Sequence, residues 1–329
     1  MQMSDALLSP SVATVMYACS AIAAVYSYKK INLKDNQDKI PLLAILGALV
    51  FATQMINFTI PGTGSSGHLC GGLLLAALLG PYAAFIVMIA VLFIQCFIFA
   101  DGGVLALGAN IFNMGFYGCL VGGAIFTFLS KKGFSKGRIF TACILGSVIS
   151  LQLGAFSVTV QTLASGVTDL PFMLFLSFMQ PIHLAIGIGE GLITASIVCF
   201  VYGTRPELIY KNENANSENS LSYKSVLMIL SFLALVIACV LSLYASAYPD
   251  GLEWSIAEVI GDKELLSNSG VAASAQSLQD STAILPDYSF VDSSSAMGTS
   301  VSGLFGGVLV FSLSFALAYI AKLLKNVKA

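Results

Sequence analysis

The sequence predicts an all-α polytopic membrane protein: a seven-crossing bundle, one crossing a short helix, followed by a two-span module with an extracytoplasmic loop. Three observations predict it. Of 329 residues, 57% are hydrophobic and only 10% charged, against roughly 25% charged in an average soluble protein. A soluble fold of this length could not cover its surface with so few charges. The hydrophobic residues fall into long runs, and fourteen of the fifteen Lys and Arg fall into four groups between those runs. The net charge of −2 and the absence of a basic run exclude nucleic acid as a partner.

A bilayer core of ~30 Å needs about 20 apolar helical residues. The runs that meet this are about 10–28, 41–57, 82–100, 104–130, 138–164, 173–203, 225–247 and 301–321. The first follows an acidic start, Met1-Gln-Met-Ser-Asp5, and ends in Lys29-Lys30, the reverse of a signal peptide. A shorter apolar piece, 69–79, ends at Gly80-Pro81, a strong break. The positive groups are Lys29, Lys30, Lys34 and Lys39; Lys131, Lys132, Lys136 and Arg138; Arg205, Lys211 and Lys224; and Lys322, Lys325 and Lys328. Cytoplasmic loops carry the Lys/Arg excess. All four groups fall inside only when 69–79 counts as a crossing, which gives nine crossings with the N-terminus outside and the C-terminus inside.

The chain divides at 205–223, a polar cytoplasmic linker rich in Asn, Ser and Glu. Residues 1–204 form the seven-crossing module and 224–329 the second, with an external loop at 248–300. That loop carries eight acidic residues against Lys263 alone. It reads either as a solvated loop or as an acidic apron that concentrates cations. Part of its Ser-rich stretch, 267–300, is expected to be mobile. The seven Cys are scattered through apolar runs without a C-x-x-C pair, a poor disulfide framework.

Few residues offer chemistry. His68 lies in the Gly-rich stretch from Pro61 to Gly72, on the outer side. Irregular backbone at membrane depth survives only when it is buried in protein or lines a cavity, so His68 is either a ligand or gate or a histidine bonded to its own loop. His183 and Glu190, two turns apart on one span, read as a structural polar pair or as an ion relay. Asn110 and Asn113, and likewise Gln54 and Asn57, lie one turn apart, where amides bridge helices or orient a metal ligand. Ser20 and Ala24 form a small-xxx-small pair. No Walker motif, nucleophile elbow or H-E-x-x-H occurs, so the chain is not expected to be an enzyme.

Several stretches in order carry a family resemblance. They are Met1–Pro10 (M-Q-M-S-D-A-L-L-S-P), Gln54–Pro61 (Q-M-I-N-F-T-I-P), Ser66–Gly72 (S-G-H-L-C-G-G), Leu79-Gly-Pro81, Asp101-Gly-Gly103 and Gly108–Gly115 (G-A-N-I-F-N-M-G). Residues 1–204 thereby resemble the substrate-binding component of cobalt/nickel energy-coupling factor transporters, the CbiM/NikM type. Pro249-Asp-Gly-Leu-Glu-Trp254 resembles the PDGLE motif of the small auxiliary subunit, the CbiN/NikN type. The chain thus looks like a fusion of the two.

The resemblance implies capture of Co2+ or Ni2+ from outside, in the cytoplasmic membrane of a prokaryote. The partners it implies are a transmembrane coupling component and ATP-hydrolysing subunits; the chain has no cofactor of its own and ATP is used by those subunits. It implies a near-planar, nitrogen-rich site made of the Met1 amine, the amide nitrogen and side chain of residue 2, and the imidazole of His68. Asn57, Asn110 and Asn113 would support it. This chain departs at position 2, which is Gln2 where the pattern has His, and an amide is a far poorer ligand than imidazole. Three readings follow: weakened cobalt/nickel affinity, a site retuned to another metal by a soft ligand such as Met3 or Cys70, or a different role such as a membrane metal or ligand sensor.

Overall fold

The computed structural model describes residues 1–31, 39–212, 221–261, 270–290 and 296–327. Eleven helices and one small hairpin make up the regular structure of these residues. A short 3-10 turn at Asp5–Leu7 leads into α1 (Pro10–Lys30), where the Ser9 hydroxyl accepts from the Val12 N–H and Pro10 takes the first helical position. Then follow α2 (Lys39–Gln54), β1 (Phe58–Ile60), β2 (Ser65–Gly67), α3 (Gly72–Leu79) and α4 (Pro81–Phe99). The next helix, α5 (Leu107–Ser130), is continuous but wound as a wider π-helix over Ile111–Gly122. Two long helices, α6 (Lys136–Ser165) and α7 (Phe172–Thr204), pack as a hairpin.

The remaining helices are α8 (Tyr223–Cys239), α9 (Gly251–Ile260), α10 (Gly270–Thr282) and α11 (Ala296–Val327). Helices α8 and α11 pack on each other and on α2. Among the described residues, six helices are long and apolar enough to cross a membrane: α1, α4, α5, α6, α7 and α11. Helices α2 and α8 are apolar but shorter, at 16 and 17 residues. The protein is a multi-pass membrane protein, and its outward faces carry exposed Leu, Ile, Val and Phe, as lipid contact requires.

The short piece 69–79 is a helix of 8 residues, about 12 Å at 1.5 Å per residue. It is buried almost completely, which an apolar helix too short to span alone needs. It lies against α4 and α5, and Gly72 meets Gly118 so closely that a Cβ on Gly72 would sit 2.9 Å from the Gly118 Cα. Its far end turns at Gly80, where the Tyr210 N–H donates to the Ala77 carbonyl at 2.9 Å. Tyr82 at the start of α4 packs edge-on to Tyr26 at the end of α1. The piece therefore runs from the His68 end of the bundle to the end that carries Lys29 and Lys30.

Two expectations need refinement. The Gly-rich stretch is not wholly irregular: β1 and β2 pair antiparallel, Phe58 opposite Gly67, around the turn at 61–64. And the Ser-rich segment 267–300, part of which is expected to be mobile, contains a regular element, the helix α10 at 270–282. It docks on α4 and the 3-10 turn and buries Ala272 and Gln279, whose amide donates to the carbonyls of Cys96 (3.0 Å) and Gly102 (2.7 Å). Small residues let this helix lie close; Ser content alone does not show that. Residues 267–269 and 291–295 of that expectation, and 213–220 of the linker, lie outside the described residues. At the linker's start, Pro206, Leu208 and Ile209 are buried rather than solvated.

Candidate metal centre

The first three residues are threaded into the bundle. Met1 and Met3 are 5% and 0% exposed, and the Met1 methyl reaches the surface of α6 at Gly154. Asn110 of α5 grips Met3 from both sides: its Oδ1 accepts from the Met3 N–H at 2.7 Å and its Nδ2 donates to the Met3 carbonyl at 3.1 Å. The Gly103 N–H donates to the same carbonyl at 2.9 Å. Asn113 exchanges amide hydrogen bonds with Gln161 at 2.8 and 2.9 Å, tying α5 to α6, and its Nδ2 lies 3.6 Å from the Met3 sulfur. The Asp5 carboxylate accepts from the Ala106 N–H at 2.9 Å, and any Cβ at Gly103 would collide with it. The Asp-Gly-Gly turn and Asp5 are thus one device that fixes the entry of the N-terminal strand.

His68 is fixed from its own loop. Its Nδ1 lies 3.1 Å from the Leu69 carbonyl. A carbonyl only accepts, so Nδ1 carries the proton and Nε2 presents a lone pair. That Nε2 is 3.3 Å from the Met1 amine. Burial, followed by the neighbouring ammonium, pushes the imidazole down to about 4, so it is neutral and ready to coordinate. The loop is held by Glu190 of α7, whose two carboxylate oxygens accept from the N–H groups of Cys70 (2.9 Å) and Gly71 (3.1 Å). Gln54 donates to the Cys70 carbonyl at 2.7 Å.

A third group meets the amine, and sequence reasoning missed it. The Asp250 Oδ2 lies 2.5 Å from the Met1 nitrogen. Its other oxygen, Oδ1, caps α9 by accepting from the N–H groups of Leu252 and Glu253, both at 2.8 Å, while Glu253 returns a bond to the Asp250 N–H. The backbone ahead of it is pinned to β2: the Ser66 N–H donates to the Pro249 carbonyl at 2.8 Å and its hydroxyl to the Tyr248 carbonyl at 2.7 Å. Burial opposes charge on both partners, yet the Met1 amine stands above its ordinary value because Asp250 faces it. Burial likewise opposes the Asp250 charge, but the ammonium holds its carboxyl well below the usual range.

His68 and Asp250 line a cavity of about 810 Å³, together with Asp5, Asp101 and Glu253. The segment after 248 forms its far wall, and Tyr288 closes it by donating to Asp101 at 2.5 Å and stacking on Phe99 at 4.8 Å. Among the described residues no three His, Cys, Asp or Glu side chains are spaced to hold a metal, so a site here must recruit the main chain.

A family model described as cobalt uptake substrate-specific transmembrane region, CbiM, matches residues 2–208, and a PDGLE domain matches 224–323. The chain belongs to the CbiM family. A relative from Archaeoglobus fulgidus is 32% identical over 322 residues, 98% of this chain and 99% of that one. The fused nickel transport protein NikMN of Rhodobacter capsulatus is 31% identical over 290 residues, 84% and 80% of the two chains. The cobalt transport protein CbiM of Geobacter sulfurreducens is 28% identical over 218 residues, 64% and 62%. A crystal structure of a truncated transition metal transporter superposes with a TM-score of 0.54 at 29% identity, covering 61% of this chain and 98% of that one. The chain thus belongs to a family of cobalt/nickel transport components and carries a PDGLE domain, and the relatives compared are named as transport proteins.

Within the CbiM match, the remaining sequence candidates are placed as follows. Gln2 turns its side chain to Gln95, donating at 3.0 Å. Asn57 lines the cavity, and its carbonyl accepts from the Ser246 N–H at 2.7 Å. The Met3 sulfur contacts Asn113. Cys70 is buried with a free thiol. His183 and Glu190 share a face as their spacing requires, but they are not bonded to each other: the His183 Nδ1 donates to the Met179 carbonyl at 2.8 Å and Glu190 serves the His68 loop. Asp250 lies in the PDGLE match, so the amine contact ties the N-terminus to that region. The PDGLE motif was the available signal for it.

Proposed function

We propose that the chain is the substrate-capture component of an energy-coupling-factor importer for Co2+ or Ni2+. The single observation that carries this is the convergence of the buried Met1 amine on the Nε2 of His68, 3.3 Å away, where His68 lines the cavity. Two bonds of about 2.0–2.1 Å at right angles put their donors about 2.9 Å apart, so a small shift lets one ion bridge them. The Gln2 amide nitrogen lies between Met1 and the clamped Met3, and supplies a further main-chain donor. Asn110 holds the strand, Asn113 braces α5 on which Asn110 sits, and Asn57 edges the cavity.

Capture takes place at the outer face of a prokaryotic cytoplasmic membrane, with the N-terminus outside and the C-terminus inside. A transmembrane coupling protein and ATPase subunits then drive inward release; the chain carries no cofactor and hydrolyses no ATP. The part after 223 acts as the auxiliary module and covers the capture cavity from outside.

The test is uptake of Co2+ and Ni2+ by cells that express the chain with a coupling protein and its ATPases, against cells with an ATPase inactivated in its Walker lysine. Metal-dependent accumulation that needs both the chain and active ATPase supports the proposal. Equal accumulation with the inactive ATPase contradicts it.

A further inference from the structure

Position 2 leaves the capture site one donor short, and the structure offers a replacement from the other end of the chain. The Gln2 side chain is engaged with Gln95 at 3.0 Å. In its absence, the group nearest the Met1 amine is the Asp250 Oδ2, at 2.5 Å. This oxygen is not free to go elsewhere. Oδ1 is committed to two N–H groups of α9 at 2.8 Å each, and Pro249 and Tyr248 are bonded to Ser66 on the strand that leads to His68. The same strand therefore sets the positions of His68 and Asp250 relative to one another. Distances of 2.5 and 3.3 Å from the amine to the two groups bracket the ~2.9 Å edge of a coordination sphere with 2.0–2.1 Å bonds.

We infer that the Asp250 carboxylate, supplied by the PDGLE segment, is the fourth donor to the captured divalent transition-metal ion, in the place of the imidazole that Gln2 lacks. This rests on the proposed capture site at Met1 and His68 and specifies its donor set. The ion then replaces two protons, the ammonium proton that now joins Met1 to Asp250 and the proton of the Gln2 main-chain amide, and both leave to solvent. A carboxylate is a harder donor than imidazole, so the advantage of Ni2+ over Co2+ is smaller here than in an all-nitrogen site. A second consequence is that occupancy of the site reports on docking of the PDGLE segment, because the donor and the cover are the same piece of chain.

The test is a double-mutant cycle on the purified full chain in detergent, with Co2+ alone and Ni2+ alone as probes, read by titration calorimetry. Asn and Ser both serve well as helix N-caps, so Asp250→Asn and Asp250→Ser remove the donor and keep the cap; metal-free melting temperatures check that the segment stays docked. The expected result is an affinity loss of at least ~10-fold for both variants, on the scale of metal-site perturbations. In the Gln2→His background, where imidazole fills the fourth place, the same changes are expected to cost less than ~3-fold. Asp250 variants that bind within twofold of wild type, while His68→Ala abolishes binding, would overturn the inference and leave the capture site standing. An equal loss in both backgrounds would overturn it too, since Asp250 would then act by docking alone. Binding that survives His68→Ala as well would overturn the capture site itself.

Discussion

Glu190 offers the sharpest test of how the site is positioned. It touches neither Met1 nor Asp250, yet both its carboxylate oxygens are spent on the N–H groups of Cys70 and Gly71, at 2.9 and 3.1 Å, in a place where Glu190 is 1% exposed. Glu190→Ala leaves two buried N–H groups without an acceptor. At about 1–3 kcal/mol for each orphaned group, the loss is about 2–6 kcal/mol. At roughly 2 °C per kcal/mol for a chain of this size, the melting temperature should fall by about 4–12 °C. Glu190→Gln keeps one acceptor oxygen and should lose about half as much. Because the same N–H groups fix the loop that carries His68, metal affinity should fall by ~10–100-fold in Glu190→Ala. The assay is thermal unfolding in detergent with Co2+ titration of the same samples. Leu192, on the same helix but 44% exposed, gives the control: Leu192→Ala should move neither readout appreciably. A Glu190→Ala protein with wild-type melting and affinity would refute the reasoning, because the loop would then be held by something else.

Further outcomes are expected. Asn110→Ala removes the clamp on Met3, two hydrogen bonds of 2.7 and 3.1 Å, and should weaken Co2+ binding ~10-fold or more while opening the N-terminus to an aminopeptidase; calorimetry and a digestion time course check both. Gly72→Ala drives a Cβ to 2.9 Å from the Gly118 backbone and should cost ~1–3 kcal/mol by overpacking, whereas Gly137→Ala meets open space and should be neutral or slightly stabilising; melting temperatures compare them. Metal affinity should depend on pH with a definite sign. The Met1 amine stands above its ordinary value against the pull of burial, because of Asp250, and it must lose its proton to coordinate. The Gln2 main-chain amide loses a second proton on coordination, so affinity should rise about a hundredfold per pH unit from roughly pH 6 to 8, and His68, neutral above about 4, adds no slope there. A flat profile over that window would rule out the amine as a ligand.

The long helices were legible because lipid leaves little choice: the long apolar runs became α1, α4, α5, α6, α7 and α11. Even the short α3 was visible as a short apolar piece ended by the Gly80-Pro81 break. The helix ends were less so. Apolar residues continue past Gln54 and Cys239, but the chain leaves the helix there to feed the hairpin and the 3-10 turn at Leu241–Tyr244. Hydropathy does not record that change. The role of α10 was hidden because Gln279, a polar residue, is what anchors it, through carbonyls 177 and 183 residues away in sequence. The candidate site was half legible. Met1, His68 and Asn110 stood in motifs, whereas Glu190 looked like half of a pair with His183 and Asp250 like one acid among eight. Both are assigned by tertiary contacts that no local pattern carries.

The central claim is that the amine of Met1 is itself a ligand, and one measurement tests it most directly. The purified full chain and a version extended by one Ala ahead of Met1 are each titrated with Co2+ and Ni2+ by calorimetry. The extension turns the amine, now 3.3 Å from His68 and 2.5 Å from Asp250, into a peptide nitrogen in a buried channel. The account predicts one ion bound per native chain and an affinity lost by at least ~100-fold, about 2.7 kcal/mol, in the extended chain. An extended chain that binds either ion as tightly as the native one would contradict it.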